Sequence, residues 1–206
     1  MSRSSAWALL SVVVLFKGSS LLADVPIVIE TEFGVIEAVL DDQKAPVTVV
    51  NFLKYVEAGH YTGGQFFRTV RTSPDNQPKV AVKIDVVQAG VNPELEKKAF
   101  PPFKLERTKD TGLKHIDGAL SMPRTTPDSA TSGFSICFGN QPNMDFGGMR
   151  NADGQGFAVF GHVTSGMDVA RKIHGSPAGP NDTAEPVAMG DQRLTPPVKI
   201  LSIHRK

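Results

Sequence analysis

A chain of 206 residues is long enough to bury one sizeable core, and no composition break or long linker divides it in two. Its 22 Lys+Arg nearly balance 21 Asp+Glu, so the overall charge gives no sign of a nucleic-acid surface or a polybasic membrane patch. The single cysteine, Cys137, excludes an intramolecular disulfide, so stability has to come from the apolar core.

Arg3, a largely apolar run from Ala6 to Phe16 and the segment Lys17 to Ser20 read as a secretory signal. The run is shorter than the roughly 20 residues a spanning helix needs, so no membrane span is expected once the signal is removed. Cleavage is expected after Ala23, with Ser20 as the alternative. This gives a signal over residues 1–23 and one domain over 24–206. Removing the signal takes Arg3 and Lys17 with it and leaves 20 basic against 21 acidic groups. The expected destination is the periplasm or the medium.

Ile27–Glu30 and Val35–Leu40 are β-rich runs separated by Thr31-Glu32-Phe33-Gly34, where glycine admits a turn conformation closed to other residues. They predict a hairpin. Pro46 then suits the first turn of a helix. Val47, Val50 and Leu53, with Tyr55 or Val56, form its apolar stripe, and Gly59 is its stop. Lys79 to Gln88 is a β-branched run read as a strand. Further strands are predicted at Gly118–Met122, Phe134–Phe138 and Phe157–Val163, and a second helix at Met167–His174. After a Pro/Gly-rich loop from Ser176 to Pro197 comes a last strand, Val198–His204. Many strands and two helices point to an antiparallel barrel or sandwich, and periodicity does not choose between them.

Several motifs stand in a fixed order. Ala45-Pro46-Val47-Thr48-Val49-Val50-Asn51-Phe52 precedes Gly59-His60-Tyr61-Thr62-Gly63-Gly64-Gln65-Phe66-Phe67-Arg68. Val87-Gln88-Ala89-Gly90, Gly118 to Arg124, Asp128 to Phe134 and Phe157 to Val163 follow. This order and spacing resemble the cyclophilin family of peptidyl-prolyl cis-trans isomerases from about Ile27 to His174, with a familiar last strand. The resemblance implies a mostly β fold, a closed eight-stranded antiparallel barrel capped by two α-helices, with no cofactor. It also implies a monomer whose partners are proline-containing peptides or unfolded exported proteins.

Rotation about an X-Pro bond must overcome about 18–20 kcal/mol of amide resonance but cleaves no bond. Such a catalyst requires no nucleophile, general base or metal. It needs a dry slot for the ring and fixed donors that favour the twisted amide. Arginine suits the second task because its planar fork stays charged. The resemblance places Arg68 as the catalytic arginine and Gln88 as its polar partner. It places Phe66, Phe67, Val86, Pro123, Arg124, Gly133, Ser135, Met144 and Phe157 along the substrate groove.

The chain departs from the family pattern at three of these positions. Phe67 stands where members usually have His, and Gly133 and Ser135 stand where many have Gln and Phe. Strand alternation puts Phe134, Ile136 and Phe138 on one face, with Gly133, Ser135 and Cys137 on the other. A groove on the second face then lacks an aromatic contact worth on the order of 1–3 kcal/mol. A second reading follows, a binding module of low activity for proline-containing segments or a dedicated partner. A third, a barrel carrying a small apolar ligand, explains the motif series less well. The segment from Arg68 to Gln88 is longer than in compact members, and Thr72 to Pro78 reads as a protruding turn that either edges the groove or has no role there.

The remaining signals are structural. Cys137 reads as a small buried strand residue, with no His or basic neighbour to activate it. Asn151-Ala152-Asp153-Gly154 reads as a turn, because Met149 and Phe160 stand where a calcium loop needs acids. Gly154-Gln155-Gly156 lacks the third glycine of a dinucleotide fingerprint. His60, His115, His162, His174 and His204 have no metal-ligand spacing. Asn181-Asp182-Thr183 is a glycosylation acceptor only in a host with that machinery.

Overall fold

The computed structural model describes residues 24–179 and 192–206. The expected signal and its cleavage sites, and the Asn181-Asp182-Thr183 acceptor, lie outside these residues. Eight strands close into an antiparallel barrel: β1 (Val25–Thr31), β2 (Gly34–Leu40), β3 (Gln65–Val70), β4 (Val86–Gly90), β5 (Ala119–Met122), β6 (Phe134–Cys137), β7 (Ala158–Ser165) and β8 (Arg193–Arg205). Their spatial order is β1-β2-β7-β5-β6-β4-β3-β8, with β8 returning to β1. Closure decides for a barrel over a sandwich, and it pairs strand edges that would otherwise be open.

β1 and β2 form the predicted hairpin, in register from Val25↔Leu40 to Thr31↔Gly34. Gly34 closes it at φ +137°, and a Cβ there would stand 3.0 Å from the Val169 side chain. Alternate residues fill the barrel, among them Ile27, Ile29, Ile36, Leu40, Val87, Leu120, Phe134, Ile136 and Phe160. Helix α1 (Pro46–Glu57) inserts Phe52 into this core. Its ring centroid lies 5.2 Å from Tyr61, 5.6 Å from Phe134 and 5.2 Å from Phe160. Helix α3 (Met167–His174) adds Ala170 and Ile173 to the same cluster. A one-turn helix, α2 (Thr108–Thr111), accompanies the two predicted helices. No described helix is long and apolar enough to cross a membrane.

Three expectations are corrected. The buried face of α1 is carried by Val49, Phe52, Leu53, Tyr55 and Val56, whereas Val47 and Val50 are 43% and 52% exposed. The helix is rotated to bury its two large rings, which remove more apolar area from water than two valines. The strand expected over Lys79–Gln88 begins only at Val86. Ahead of it, the Gln77 amide donates to Arg71 O (3.0 Å) and Ile84 O (2.7 Å) and accepts from Ile84 N (3.2 Å), so a side chain occupies the groups a strand neighbour would take. Finally, β8 starts at Arg193 rather than Val198.

A second apolar cluster lies on the other face of β4, β5, β6 and β7. It contains Val70, Ile84, Val86, Ala119, Cys137, Met144, Phe157 and Val159. Cys137 is fully buried there, and burial pushes its thiol well above the ordinary range, as expected for a structural cysteine. This outer cluster is the foundation of the recess described next.

Candidate active site

A recess of about 820 Å³ opens over the outer face of β3, β4, β6 and β5. On β4, Val86, Gln88 and Gly90 line it, while Val87 and Ala89 point into the barrel. On β6, Ser135 and, just ahead of the strand, Gly133 line it, while Phe134 and Ile136 point inward. Strand alternation thus places Ser135 on the recess face as predicted. Pairings run Gln88↔Ser135 and Ser121↔Ser135, so three polar residues form one row across adjacent strands.

On β3 simple alternation fails. Phe66 pairs with Ala89 and Arg68 with Gln88, two steps on one strand against one on the other. This bulge turns both Phe67 and Arg68 toward the recess. Phe66 is fully buried instead, with its ring 5.8 Å from Phe134 inside the barrel. The expectation that Phe66 lines the groove is therefore corrected. Every other expected residue, from Arg68 and Gln88 through Phe67, Val86, Pro123, Arg124, Gly133, Ser135, Met144 and Phe157, stands on the recess wall.

The Arg68 guanidinium is held on two sides by neutral amide oxygens. Its Nη1 donates to Gln88 Oε1 (3.1 Å), and its Nε and Nη2 donate to Gln192 Oε1 (2.9 and 2.6 Å). Burial, helped by the charge of Arg150, lowers its pKa to about 10, so it remains charged at neutral pH. Gln192 is 3% exposed and donates through Nε2 to Asn76 O (2.9 Å). The segment between β3 and β4 therefore edges the recess. It supplies Ile84 to the wall and the anchor for the residue that orients Arg68.

Val86, Met144 and Phe157 give the recess an apolar wall. Arg124 lies along it through its stem, its charged group 5.4 Å from the Phe157 ring centroid. Its charge is spent on Asp153 through two hydrogen bonds (2.8 and 2.9 Å), with a third to Gly156 O (2.7 Å). Those Arg124 bonds, with one from Gln155 N, hold the Asp153 carboxyl down to about 2. The turn at Asn151–Gly154 thus fixes a wall residue.

Behind the row, Ser121 Oγ lies 2.9 Å from His115 Nε2, and His115 Nδ1 lies 2.7 Å from Asp145 Oδ1. The Asp145 carboxylate can only accept, so Nδ1 carries the proton and Nε2 accepts from the Ser121 hydroxyl. At 1% exposure Ser121 is too covered to attack a substrate, and the chain of bonds stiffens the floor. No group of three or more His, Cys, Asp or Glu arranged to hold a metal occurs among the described residues.

Gln192, Ser121, Ile84 and Arg150 also line or support the recess, and none of them is among the residues the resemblance singles out. Ser121 lies within the Gly118–Arg124 motif but carries no chemical signal of its own. Gln192 follows a long Pro/Gly-bearing stretch, and nothing in its local sequence marks it.

The arrangement is a planar donor, charged at neutral pH, fixed beside an apolar slot. Comparisons with known proteins give the same result. The model of the family "Cyclophilin type peptidyl-prolyl cis-trans isomerase/CLD" matches residues 26–205. The chain is 41% identical over 149 residues to peptidyl-prolyl cis-trans isomerase A of Dickeya dadantii, covering 71% of this chain and 70% of that one. It is 36% identical over 140 residues to peptidyl-prolyl cis-trans isomerase B of Escherichia coli, covering 67% and 77%. A crystal structure of a cyclophilin type isomerase from Cryptosporidium parvum superposes with a TM-score of 0.65 at 18% identity, over 89% of this chain and 98% of that one. With a family match spanning the whole barrel, the chain belongs to the cyclophilin-type peptidyl-prolyl cis-trans isomerases.

Proposed function

We propose that this protein accelerates cis-trans rotation about X-Pro bonds in proline-containing peptides, and that its clients are exported proteins still folding in the periplasm or the medium. The observation that carries the reading is Arg68, clamped between Gln88 and Gln192 and facing a recess with an apolar wall of Val86, Met144 and Phe157. The wall accepts the proline ring. The guanidinium, pre-oriented and partly desolvated, binds the carbonyl oxygen and the imide nitrogen more tightly when amide resonance is broken than when it is intact. Support from relatives comes in two forms: the Dickeya and Escherichia proteins named above as isomerases, and a Cryptosporidium structure solved in the presence of the dipeptide Ala-Pro. The exported setting rests on the N-terminal signal read from the sequence.

The test is an isomerisation assay on an Xaa-Pro peptide with the purified protein. Wild type accelerates exchange, and Arg68→Ala lowers kcat/KM by about 10²-fold with its fold retained by circular dichroism. A second reading, a peptide-binding module, is favoured by Gly133 and Ser135, which leave the slot without an amide and a ring. Wild type that binds the peptide without accelerating exchange selects it. Mass spectrometry of the protein recovered outside the cytoplasm tests the setting, the expected product beginning at Asp24.

A further inference from the structure

The recess carries more positive charge than rotation of an amide requires. Besides Arg68, Arg150 reaches its wall from the loop between β6 and β7. Its backbone N–H donates to Asn143 O (3.0 Å), which fixes it next to the slot residue Met144. Its Nη1 donates to Gln77 Oε1 (3.0 Å) and Val82 O (2.6 Å), anchoring it on the segment that also anchors Gln192. Both bonds leave from Nη1 and both end on neutral oxygens, so the other face of the fork is left for a ligand.

The position along the recess follows from strand register. Ile84 and Val86 lie at one end of β4, and Gly90, Val91, Pro93 and Glu96 follow its other end. Arg150 stands at the first end. Glu96, the one acidic residue on the wall among the described residues, is exposed at the second. Arg124 is already neutralised by Asp153. Among the described residues no carboxylate pairs with Arg68 or Arg150, and Asn151 beside it has a buried side-chain Nδ2 without a hydrogen-bond partner. Burial lowers the pKa of Arg150 as well as that of Arg68.

We propose that Arg150 is a specificity residue that selects peptides with a carboxylate side chain, Asp or Glu, next to the proline. This rests on the isomerase reading of the same recess. A guanidinium held rigid and partly out of water, with its fork half used, suits a carboxylate better than any neutral side chain. Its charge is less screened by salt than that of a fully exposed residue. A peptide with its ring against Met144 and Phe157 passes Arg150 with the residue on one side of the proline.

The experiment compares peptides with Asp or Asn immediately before the proline, and with Asp or Asn immediately after it. Both kcat/KM and Kd are measured for wild type, Arg150→Gln and Arg150→Glu. Wild type prefers the Asp peptide by about tenfold at one of the two positions, and the preference shrinks as salt is raised. In Arg150→Gln the Asp/Asn ratio falls to near one, and in Arg150→Glu it inverts, whatever happens to the absolute rate. Equal treatment of Asp and Asn at both positions, or a preference that survives in Arg150→Gln, overturns the inference. If wild type accelerates no peptide, the isomerase reading fails, and the ratio of Kd values still decides the role of Arg150.

Discussion

Gln88 on β4 and Ser135 on β6 are directly opposed in the ladder, and both face the recess. A small hydroxymethyl group therefore stands beside the amide that helps to hold Arg68. Ser135 itself is 4% exposed, so little of its short side chain reaches solvent although it stands on the recess face. The apolar wall that remains, Val86, Met144 and Phe157, contacts a proline ring on fewer sides than a wall completed by an aromatic residue.

Ser135→Phe is expected to tighten the slot and raise kcat/KM for a neutral Xaa-Pro peptide by about tenfold or more, mainly through KM. The gain corresponds to burying part of one ring against the substrate, on the order of 1–3 kcal/mol. Gly133→Gln is a compatible second change. A Cβ at Gly133 would meet Ala89 O at 3.6 Å and Gln88 Nε2 at 3.9 Å, ordinary contacts that require no movement. A drop in kcat/KM for Ser135→Phe in a folded protein would show that the ring binds elsewhere in the recess.

Gln192→Leu is expected to lower kcat about tenfold with a smaller change in KM. Gln192 touches Arg68, not the substrate wall, and it accepts two of the three hydrogen bonds that aim the guanidinium. Removing that acceptor leaves two buried donors unsatisfied and lets the side chain swing. A change confined to KM, or none at all, would mean that Gln88 alone fixes the arginine.

Much of this architecture is written in local pattern. The Phe134-Ser135-Ile136-Cys137 alternation gives both the barrel interior and the recess face of β6, because side chains in a strand must point to opposite sides. The Arg68 placement is harder. The bulge that brings Phe67 and Arg68 to one side and sends Phe66 inward is a register event between two strands, and no residue type announces it. Gln192 and Arg150 are harder still. Each acts across more than 70 residues of chain, Arg150 on Gln77 and Gln192 on Arg68, through hydrogen bonds that no spacing rule predicts. The face of α1 is not fixed by its valines, because Val47, Val49 and Val50 suit more than one stripe, and the decision falls to Phe52 and Tyr55, which the core accepts as rings.

Glu106→Gln is expected to destabilise the fold by about 1 kcal/mol. Helix α1 begins after Ala45, which has no capping side chain, and it has no acid in its first turn. Glu106 supplies both from 58 residues away, accepting from Val47 N (3.1 Å), Thr48 N (2.8 Å) and Thr48 Oγ1 (2.6 Å). The carboxylate also opposes the positive end of the helix dipole, so the amide variant loses charge while keeping shape. Urea unfolding checks it: the midpoint falls with an unchanged slope, and an unchanged midpoint would show that water caps the helix equally well.

Stability should also decline as the medium becomes mildly acidic. Burial lowers the pKa of His115 below its ordinary 6.5 in spite of the Asp145 hydrogen bond, and burial likewise lowers that of His174. A histidine whose pKa is lower in the folded state binds fewer protons there than in the unfolded chain. Its stabilising contribution is then complete above about pH 6.5 and is lost as pH falls below that value. Asp145 stays ionised through this window: burial works against its charge, but the hydrogen bonds from His115, helped by the charge of Lys114, outweigh it and keep the carboxyl below the ordinary carboxylate range. Urea midpoints are therefore expected to fall between about pH 7 and pH 5, and His115→Asn, less stable at neutral pH, should show a shallower fall. A wild-type midpoint that rises as the pH falls over this range would mean that the imidazole of His115 is already protonated in the folded protein, paired with Asp145 as an ion pair beneath the Ser121 floor, and a flat one would mean that folding leaves the histidine pKa values unshifted; either result overturns the prediction.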